Sequence, residues 1–157
     1  MIAAIRVRDE TSSSALCELD LMRFTEEQVR ERMTERGIRD DAFFVCGFVD
    51  WEIDDVMSLQ EAYALKECIL GLYDGDDYVV KELLKRHKPF GEIISSCYEF
   101  CSKDEVETVQ KLLSGMDSDE LINYFYRVSC WSRLVASYMN AGYLLQTSKG
   151  FYLNSFR

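Results

Sequence analysis

The segment DDAFFVCGFVDWEIDD, residues 40–55, places a hydrophobic run between two groups of carboxylates. The run AFFVCGFV has the length and the aromatic and β-branched content of a buried strand. No Lys, Arg or His interrupts the segment, whose acidic residues are Asp40, Asp41, Asp50, Glu52, Asp54 and Asp55. We therefore expect a core strand with uncompensated negative charge at both ends.

The charge of the whole chain is distributed unevenly. The 157 residues suggest one domain or a few small subdomains, and a hydrophobic content of 48% is sufficient for a packed core. The net charge of -10 divides into -7 for residues 1–57, -4 for 58–115 and +1 for 116–157. Such acidity disfavours direct binding to nucleic acid or to an anionic membrane, and it favours a basic partner.

The cysteines and the N-terminal segment indicate the cellular compartment. Most of the six cysteines lie in apolar surroundings such as FFVCGFV and LKECILGL, which is typical of reduced, buried thiols. The start MIAAIRVRDE has no apolar run long enough for export or membrane spanning, so we predict a cytoplasmic protein. Cys97, Cys101 and His87 are too few for the ligand set of a zinc site, and we expect no metal or other cofactor.

Residues 1–57 are predicted to form a small antiparallel sheet with one helix. IAAIRVR, ALCELDL and AFFVCGFV have strand patterns, and FTEEQVRERMTERG has a helical one. Thr25 and Gln28 form a capping box, and Gly37 provides the C-terminal stop. The alternation in ALCELDL places four residues on one face of its strand: Ala15, Cys17, Leu19 and Leu21.

Residues 58–95 are predicted to form a helical subdomain. SLQEAYALKECILGLY begins with a second capping box, made by Ser58 and Glu61. DGDDYV begins another helix, over residues 76–88, that Pro89 ends. PFGEIISS follows as a short helix or turn.

Residues 96–157 are predicted to form a second α+β part. SCYEFC has the pattern of a short strand, and Ser102 with Glu105 gives a third capping box. One or two helices follow in DSDELINYFYRVSCWSRLVASYMNAG. GYLLQTSKGFYLNSF then predicts a hairpin with TSKG as its turn. The fold class is therefore α+β.

The sequence contains no recognisable catalytic constellation. There is one His, no phosphate loop with its GKS or GKT element, and no GxSxG nucleophile elbow. A Ser or Cys nucleophile requires a general base, which a single His can hardly provide. We therefore predict that the protein is not an enzyme.

Two further groups of carboxylates extend the acidic segment. Glu27, Glu31 and Glu35 recur every four residues of the predicted helix, a rise of about 6 Å that corresponds to about two base-pair steps of one DNA strand. Arginines interleave with them, so for this helix alone a solvated face with ordinary ion pairs such as Glu26 with Arg30 is the better explanation. GLYDGDDYV adds Asp74, Asp76 and Asp77.

The C-terminal helices and hairpin allow a different interpretation. Their order is similar to that of a winged helix with GYLLQTSKGFYL as the wing, so a transcriptional regulator is a rival hypothesis. The alternative is that the helix and the hairpin simply pack together. A DNA-binding winged helix requires a basic recognition helix and a basic wing. Only Arg127, Arg133 and Lys149 are available along this block.

The order of elements and several local patterns resemble the ArdA antirestriction proteins, which mobile genetic elements encode. FFVCGFVDWEIDDVMSLQEAYAL resembles the family's junction of a strand, an acidic–aromatic turn (Asp50, Trp51, Glu52) and a Ser-led helix. NYFYRVSCWSRLVASYMNAGYLLQTSKGFYL resembles the final block of the family. Its matching positions are Tyr124, Arg133, Gly142, Thr147, Gly150 and Tyr152.

The resemblance implies an elongated, three-part homodimer whose carboxylates imitate the phosphates of duplex DNA. Such a protein inhibits Type I restriction–modification enzymes in the bacterial cytoplasm by occupying their DNA-binding groove. The near-neutral residues 96–157 are expected to make the dimer contacts. An anti-CRISPR or other anti-defence inhibitor on the same scaffold is the alternative. The carboxylates expected to contact the partner are Asp40, Asp41, Asp50, Glu52, Asp54, Asp55, Asp74, Asp76, Asp77, Glu27 and Glu31.

Overall fold

A computed structural model describes residues 1–127 and 131–156, except for the side chains of residues 131 and 132. The strands are β1 (Ile2–Arg8), β2 (Ser13–Asp20), β3 (Phe43–Phe48), β4 (Ile53–Met57), β5 (Tyr98–Ser102), β6 (Leu144–Gln146) and β7 (Phe151–Asn154). The helices are α1 (Glu26–Glu35), α2 (Leu59–Leu72), α3 (Tyr78–Lys85), α4 (Phe90–Ser95), α5 (Glu105–Leu113), α6 (Ser118–Arg127) and α7 (Trp131–Asn140). This composition confirms the predicted α+β class.

The chain divides into two compact units, an N-terminal unit of residues 1–94 and a C-terminal unit of residues 95–157. The finer division into three parts, with a boundary near residue 57, stays a prediction. Among the described helices, none has both the length and the apolar character that crossing a bilayer requires.

The N-terminal unit is built on a four-stranded antiparallel sheet with the order β2-β1-β3-β4. The predicted strand β3 lies inside this sheet, with Phe43, Val45 and Phe48 buried. The expected turn at Asp50, Trp51 and Glu52 is present, but the Ser-led helix does not follow it directly, because a strand lies between them. A 3-10 turn at Val49–Trp51 leads into β4, which buries Ile53 and Met57 at the edge of the sheet.

Gly47 allows β3 and β4 to approach each other closely. Its φ is +153°, and a Cβ atom added there would lie 2.2 Å from the backbone oxygen of Ile53. The register between the two strands also shifts between Val45 and Gly47. A side chain at position 47 would therefore separate the two strands or distort the bulge.

The predicted face of β2 is wrong at one position. Cys17 pairs with Ile5 and Ala15 pairs with Arg6, so Leu16 is the extra residue of a β-bulge. The bulge interrupts the alternation, and Ala15 is exposed whereas Leu21 is fully buried.

Both predicted capping boxes of the N-terminal unit are confirmed. The Thr25 hydroxyl accepts a hydrogen bond from the Gln28 backbone N–H at 3.2 Å, and the Gln28 side chain accepts one from Thr25 at 3.0 Å. Ser58 and Glu61 make the same reciprocal pair at the start of α2. Gly37 follows α1 in the left-handed conformation, with φ +73°, as predicted.

The helices after α2 are shorter than predicted. The helix predicted over 76–88 spans Tyr78–Lys85, with Asp77 as its N-cap residue, and buries Val79, Val80, Leu83 and Leu84. His87 adopts a left-handed conformation with φ +52° two residues after the helix ends. The short helix predicted in PFGEIISS is α4.

The C-terminal unit contains a three-stranded antiparallel sheet with the order β5-β7-β6. The predicted hairpin is confirmed, because β6 and β7 are joined by a turn in which the Thr147 N–H donates to the Gly150 oxygen at 2.8 Å. The sheet and helices α5 and α7 enclose a core of Cys101, Val109, Leu134, Val135, Leu144 and Phe151.

The third predicted capping box is wrong. Asp104 caps α5, since its side chain accepts a hydrogen bond from the Glu107 N–H at 3.0 Å. Ser102 is a buried residue of β5, and its hydroxyl donates to the Glu107 carboxylate at 2.6 Å. The motif is displaced because Asp104 provides a carboxylate closer to the first turn of the helix.

Replacement of Gly47 by Ala tests the close contact between β3 and β4. We expect Gly47→Ala to lower the free energy of unfolding by about 2–3 kcal/mol, because the added Cβ overlaps the Ile53 carbonyl. Gly71→Ala is the matched control. Position 71 lies in α2 with open space around it, and Ala there should stabilise by about 0.5–1 kcal/mol. Urea denaturation followed by circular dichroism measures both, and equal effects would contradict the proposed overlap.

Candidate functional site

The acidity of the chain resides in the N-terminal unit. Residues 1–94 contain 21 acidic and 12 basic residues, a net charge of -9, whereas residues 95–157 contain 7 and 6, a net charge of -1. The eleven carboxylates predicted to contact a partner all lie in the N-terminal unit. The structure separates them into carboxylates that the fold itself binds and carboxylates that project into solvent.

Asp40 and Asp41 are compensated by arginines, contrary to the expectation from the sequence. Asp40 forms an ion pair with Arg30, which also binds Glu26 at 2.6 Å. Asp41 accepts two hydrogen bonds from Arg39, at 2.6 and 3.0 Å, and this guanidinium holds the pKa of Asp41 below its ordinary value. The negative charge that precedes β3 is therefore largely neutralised.

Asp50 is bound by the start of the chain. One oxygen of its carboxylate accepts a hydrogen bond from the Ile2 N–H at 2.7 Å, and the other lies 2.9 Å from the α-amino group of Met1. Partial burial acts to raise the pKa of Asp50, but these two contacts outweigh it and lower the pKa. Asp50 therefore anchors β1 to the turn after β3.

Three carboxylates follow this anchor along the sheet edge. Glu52 and Asp54 are exposed and Asp55 is half-buried. Within residues 1–127 and 131–156, no Lys, Arg or His nitrogen lies within salt-bridge distance of these three groups. Charges on an edge strand also prevent the strand from pairing with another sheet, which gives these residues a structural use as well.

Glu52 occupies a backbone conformation that favours glycine. Its φ and ψ are 55° and 45°, in the left-handed region, at the point where the 3-10 turn enters β4. For a residue with a Cβ atom, this conformation costs about 1–2 kcal/mol of free energy. The chain nevertheless has a glutamate there, and its side chain is exposed.

A second acidic turn, residues 74–77 between α2 and α3, is held next to the turn that follows β3 and contains Trp51. The Trp51 indole N–H donates to the Asp77 carboxylate at 2.7 Å, across 26 residues of sequence. Asp77 is thus a structural ligand of a buried tryptophan. Asp76 accepts a hydrogen bond from the Tyr78 N–H at 3.1 Å. Asp74 is exposed and left-handed, with φ +50°.

Helix α1 contributes the remaining predicted carboxylates. The expected pair of Glu26 with Arg30 is present, and Arg32 approaches Glu35 at 3.8 Å. Glu27 and Glu31 are exposed and have no ion-pair partner in the described part of the chain. Six predicted carboxylates have no ion-pair partner among the described residues, and all of them except the half-buried Asp55 are exposed: Glu27, Glu31, Glu52, Asp54, Asp55 and Asp74.

The exposed carboxylates present a charged surface. A groove of about 630 Å³ lies between β2 and α1, where Glu31 lines it together with Phe24, Val29 and Met33. A smaller pocket of about 250 Å³ is lined by Asp55 of β4 together with His87 and Lys88. Among the described residues, no group of three or more His, Cys, Asp or Glu side chains is arranged to hold a metal ion. An exposed acidic surface can bind a basic macromolecule through charge complementarity.

The positions that carry the C-terminal resemblance have structural roles. Gly142 follows α7 with φ +75°, and the Thr147 hydroxyl donates to the Gly150 oxygen at 3.1 Å within the hairpin turn. Tyr152 is buried on β7, and Tyr124 packs partly buried against the core. These five residues therefore contribute to the fold of this unit, whereas Arg133 is exposed.

Comparisons of the chain with models of known protein families, with curated proteins and with solved structures find no match. The molecule is therefore defined by its own features as an α+β protein with an acidic N-terminal unit and a near-neutral C-terminal unit. Its likeness to ArdA proteins consists of the sequence patterns described above.

Removal of the Asp77 carboxylate tests its role as the acceptor for Trp51. We expect Asp77→Ala to lower the free energy of unfolding by about 1–3 kcal/mol, because a buried indole N–H loses its partner. Asp77→Asn removes the same charge but keeps an acceptor oxygen, so it should cost less than half as much. Urea titrations followed by circular dichroism compare the variants. Equal losses would assign the effect to the charge at the start of α3.

Replacement of the strained Glu52 by glycine is expected to stabilise the protein, whereas the Asp77 variants are expected to destabilise it. Glu52→Gly should raise the free energy of unfolding by up to about 1 kcal/mol, since relief of the left-handed strain exceeds the added backbone entropy of glycine. Glu52→Ala removes the same carboxylate but keeps the strain, and should not stabilise the protein. Thermal denaturation of the two variants measures the difference. If their stabilities are the same, residue 52 is not strained.

Proposed function

We propose that this protein inhibits a DNA-processing enzyme of bacterial host defence by binding to its DNA site in place of DNA. A Type I restriction–modification enzyme is the proposed target, and the bacterial cytoplasm the proposed place of action. The observation that carries the proposal is the set of projecting, unpaired carboxylates on a unit of net charge -9. The protein has no proposed catalytic role.

The physical basis of the proposal is competition for a basic groove. A DNA-binding groove is lined by Lys and Arg, whose attraction to phosphates supplies most of the non-specific affinity. Carboxylates on a folded unit compete for these cations without the deformation energy that bending a duplex requires. Each carboxylate must therefore be free of an internal cation and held in place by the fold.

The turns that carry Glu52 and Asp74 meet both requirements. Neither residue has an ion-pair partner among the described residues. The hydrogen bond between Trp51 and Asp77 fixes the first turn against the second. The strained backbone of Glu52 is also expected where a side chain serves binding more than stability.

Asp40, Asp41, Asp50 and Asp77 have a different role in this proposal. They bind Arg30, Arg39, the start of β1 and Trp51, respectively, and therefore stabilise the surface without contributing full charges to it. Asp54 and Asp55 on β4, with Glu27 and Glu31 on α1, complete the proposed contact set.

Two other functions remain candidates. An anti-CRISPR or other anti-defence inhibitor would use the same surface on a different basic groove. A winged-helix regulator is supported by the helices and terminal hairpin of the C-terminal unit. Its charge argues against DNA binding, since Lys111 donates to the Cys101 oxygen and Lys149 lies over the Phe100 ring at 5.9 Å. A gel shift with random duplex DNA separates the regulator from both kinds of inhibitor, because an inhibitor of this kind does not bind DNA.

Plating efficiency tests the proposed function. Expression in a host with an active Type I restriction system should raise the plating of unmodified phage by several orders, towards the unrestricted value. Purified protein should also block cleavage of unmodified plasmid by that enzyme, with weaker inhibition at higher salt because the contacts are ionic. If restriction is unchanged in both assays although folded protein is present, a Type I enzyme is not the target. The same assays would then be carried out with CRISPR nucleases.

A charge-matched pair of variants tests the contact set. Glu52→Gln, Asp54→Asn, Asp55→Asn and Asp74→Asn together should weaken inhibition at least roughly tenfold, since none of the four carboxylates has an ion-pair partner among the described residues. The control variant loses four ion-paired carboxylates, through Glu35→Gln, Asp40→Asn, Asp41→Asn and Glu82→Gln. Both variants carry the same net charge. Equal losses of inhibition would show that total charge matters and the positions do not.

A further inference from the structure

The pocket of about 250 Å³ in the N-terminal unit lies where strand β4 meets the end of helix α3 and the start of α4. Its lining includes Asp55 and Met57 of β4, Leu84 of α3, Pro89 and Phe90. A water molecule takes about 30 Å³ of liquid volume, so the pocket corresponds to about eight waters. This space suits one long side chain or a small organic molecule, since pockets for drug-sized ligands are larger.

Asp55 provides the unpaired charge of the pocket. It alternates with Asp54 along β4, so it shares the strand face of the buried Ile53 and Met57, and α3 packs against this strand. The Asp55 side chain is half-buried, and within residues 1–127 and 131–156 its carboxylate has neither a hydrogen bond nor an ion pair. Partial burial of a carboxylate is unfavourable until a cation or a donor binds it.

The other carboxylate and the lysine of the pocket are already paired. One oxygen of Glu61 accepts hydrogen bonds from the Ser58 N–H and hydroxyl, at 2.8 and 2.9 Å. Lys88 forms an ion pair with Glu92 at 2.8 Å. The uncompensated charge of the pocket is therefore negative, and a cationic ligand complements it.

We propose that this pocket binds a guanidinium group, carried by an alkylguanidinium compound or by an arginine side chain. A guanidinium donates two parallel hydrogen bonds to a carboxylate such as Asp55, and its planar face stacks on an aromatic ring such as Phe90. The apolar residues Met57, Leu84 and Pro89 suit the alkyl stem that carries the group. An ammonium group fits less well, because it is more strongly hydrated and has no planar face.

Two further observations support a cationic ligand at this place. The unit that contains the pocket has a net charge of -9, which attracts cations and repels the anions that Lys88 and His87 would otherwise suit. His87 lines the pocket and has a left-handed backbone conformation, with φ +52°. Strained positions of this kind are concentrated at ligand sites, where the surrounding structure holds them in place.

Proton NMR of the His87 imidazole tests the pocket, because the chain has one histidine and the signal of the untagged protein needs no assignment. Titration of the full-length chain with acetyl-arginine methylamide, at constant pH and ionic strength, should shift this signal saturably, with a Kd of roughly 1–10 mM. Acetyl-citrulline methylamide has nearly the same shape without the charge, and should bind at least roughly tenfold more weakly. Equal binding of the two compounds would overturn the proposal.

A pair of single variants tests the role of Asp55. Asp55→Asn should weaken the binding of acetyl-arginine methylamide at least roughly tenfold, because it removes the charged acceptor. Asp54→Asn removes the same charge from the opposite face of β4, and should change this affinity less than roughly twofold. If Asp55→Asn is folded by circular dichroism and binds as tightly as Asp54→Asn, the proposal is wrong.

A third variant tests the stacking surface and does not alter the charge. Phe90→Leu keeps an apolar side chain but removes the aromatic ring, and should weaken the binding of acetyl-arginine methylamide roughly threefold. The binding of acetyl-citrulline methylamide should change less. An unchanged affinity for the arginine compound would contradict the proposed arrangement, whatever the outcome for Asp55→Asn.

Two probes distinguish the sources of the guanidinium group. Methylguanidinium represents a free small molecule, and acetyl-arginine methylamide represents the side chain of a polypeptide. If the arginine compound binds at least as tightly, the pocket accepts a protein side chain. If it binds more weakly than methylguanidinium, its backbone obstructs the pocket and the ligand is a free compound. If neither probe shifts the His87 signal saturably, the proposal fails. These titrations require no nuclease, so their outcome is independent of the proposed function.

Discussion

The N-terminal unit depends on the way its sheet joins its helices at Trp51. The indole is 2% exposed, packs with its ring centroid 4.8 Å from that of Phe48, and donates its N–H to Asp77. Because a buried donor without an acceptor is costly, this bond fixes the distance between the turn after β3 and the turn before α3. The two turns that carry Glu52 and Asp74 are thereby held as neighbours, so a packing requirement of the core determines where surface charge is placed.

Carboxylates in this molecule have two separate physical uses, which their partners reveal and the sequence does not. Asp50 and Asp77 bind backbone or indole N–H groups, and Asp40 is paired with Arg30. Exposed ion pairs of this kind contribute little to stability, but they remove charge from the surface that a basic partner would meet. The net charge of the unit is therefore less informative than the number of carboxylates that project without a cation.

Local signals in the sequence predicted the local structure well. The capping boxes at Thr25 and Ser58 were predictable because both partners of each bond lie within one helical turn. Strand β4 was missed because Asp54 and Asp55 have low strand propensity, and only its position at the sheet edge accommodates them. The bulge at Leu16 and the bond between Trp51 and Asp77 depend on contacts distant in sequence, which no local pattern contains.

The candidate surface was predictable as a region but not residue by residue. The hydrophobic and acidic runs in residues 40–55 predicted a strand with uncompensated charge at both ends. In the structure the charge is uncompensated only after β3, because arginines pair with the carboxylates that precede it. Glu52 shows why the residues cannot all be equivalent. A left-handed backbone position is most stable with glycine, so the glutamate at this position is strained as well as exposed. Asp41 differs from Glu52, because the hydrogen-bonded Arg39 both stabilises and neutralises its charge. Strain together with an unpaired charge is therefore the feature of Glu52 that supports its place in the proposed contact set.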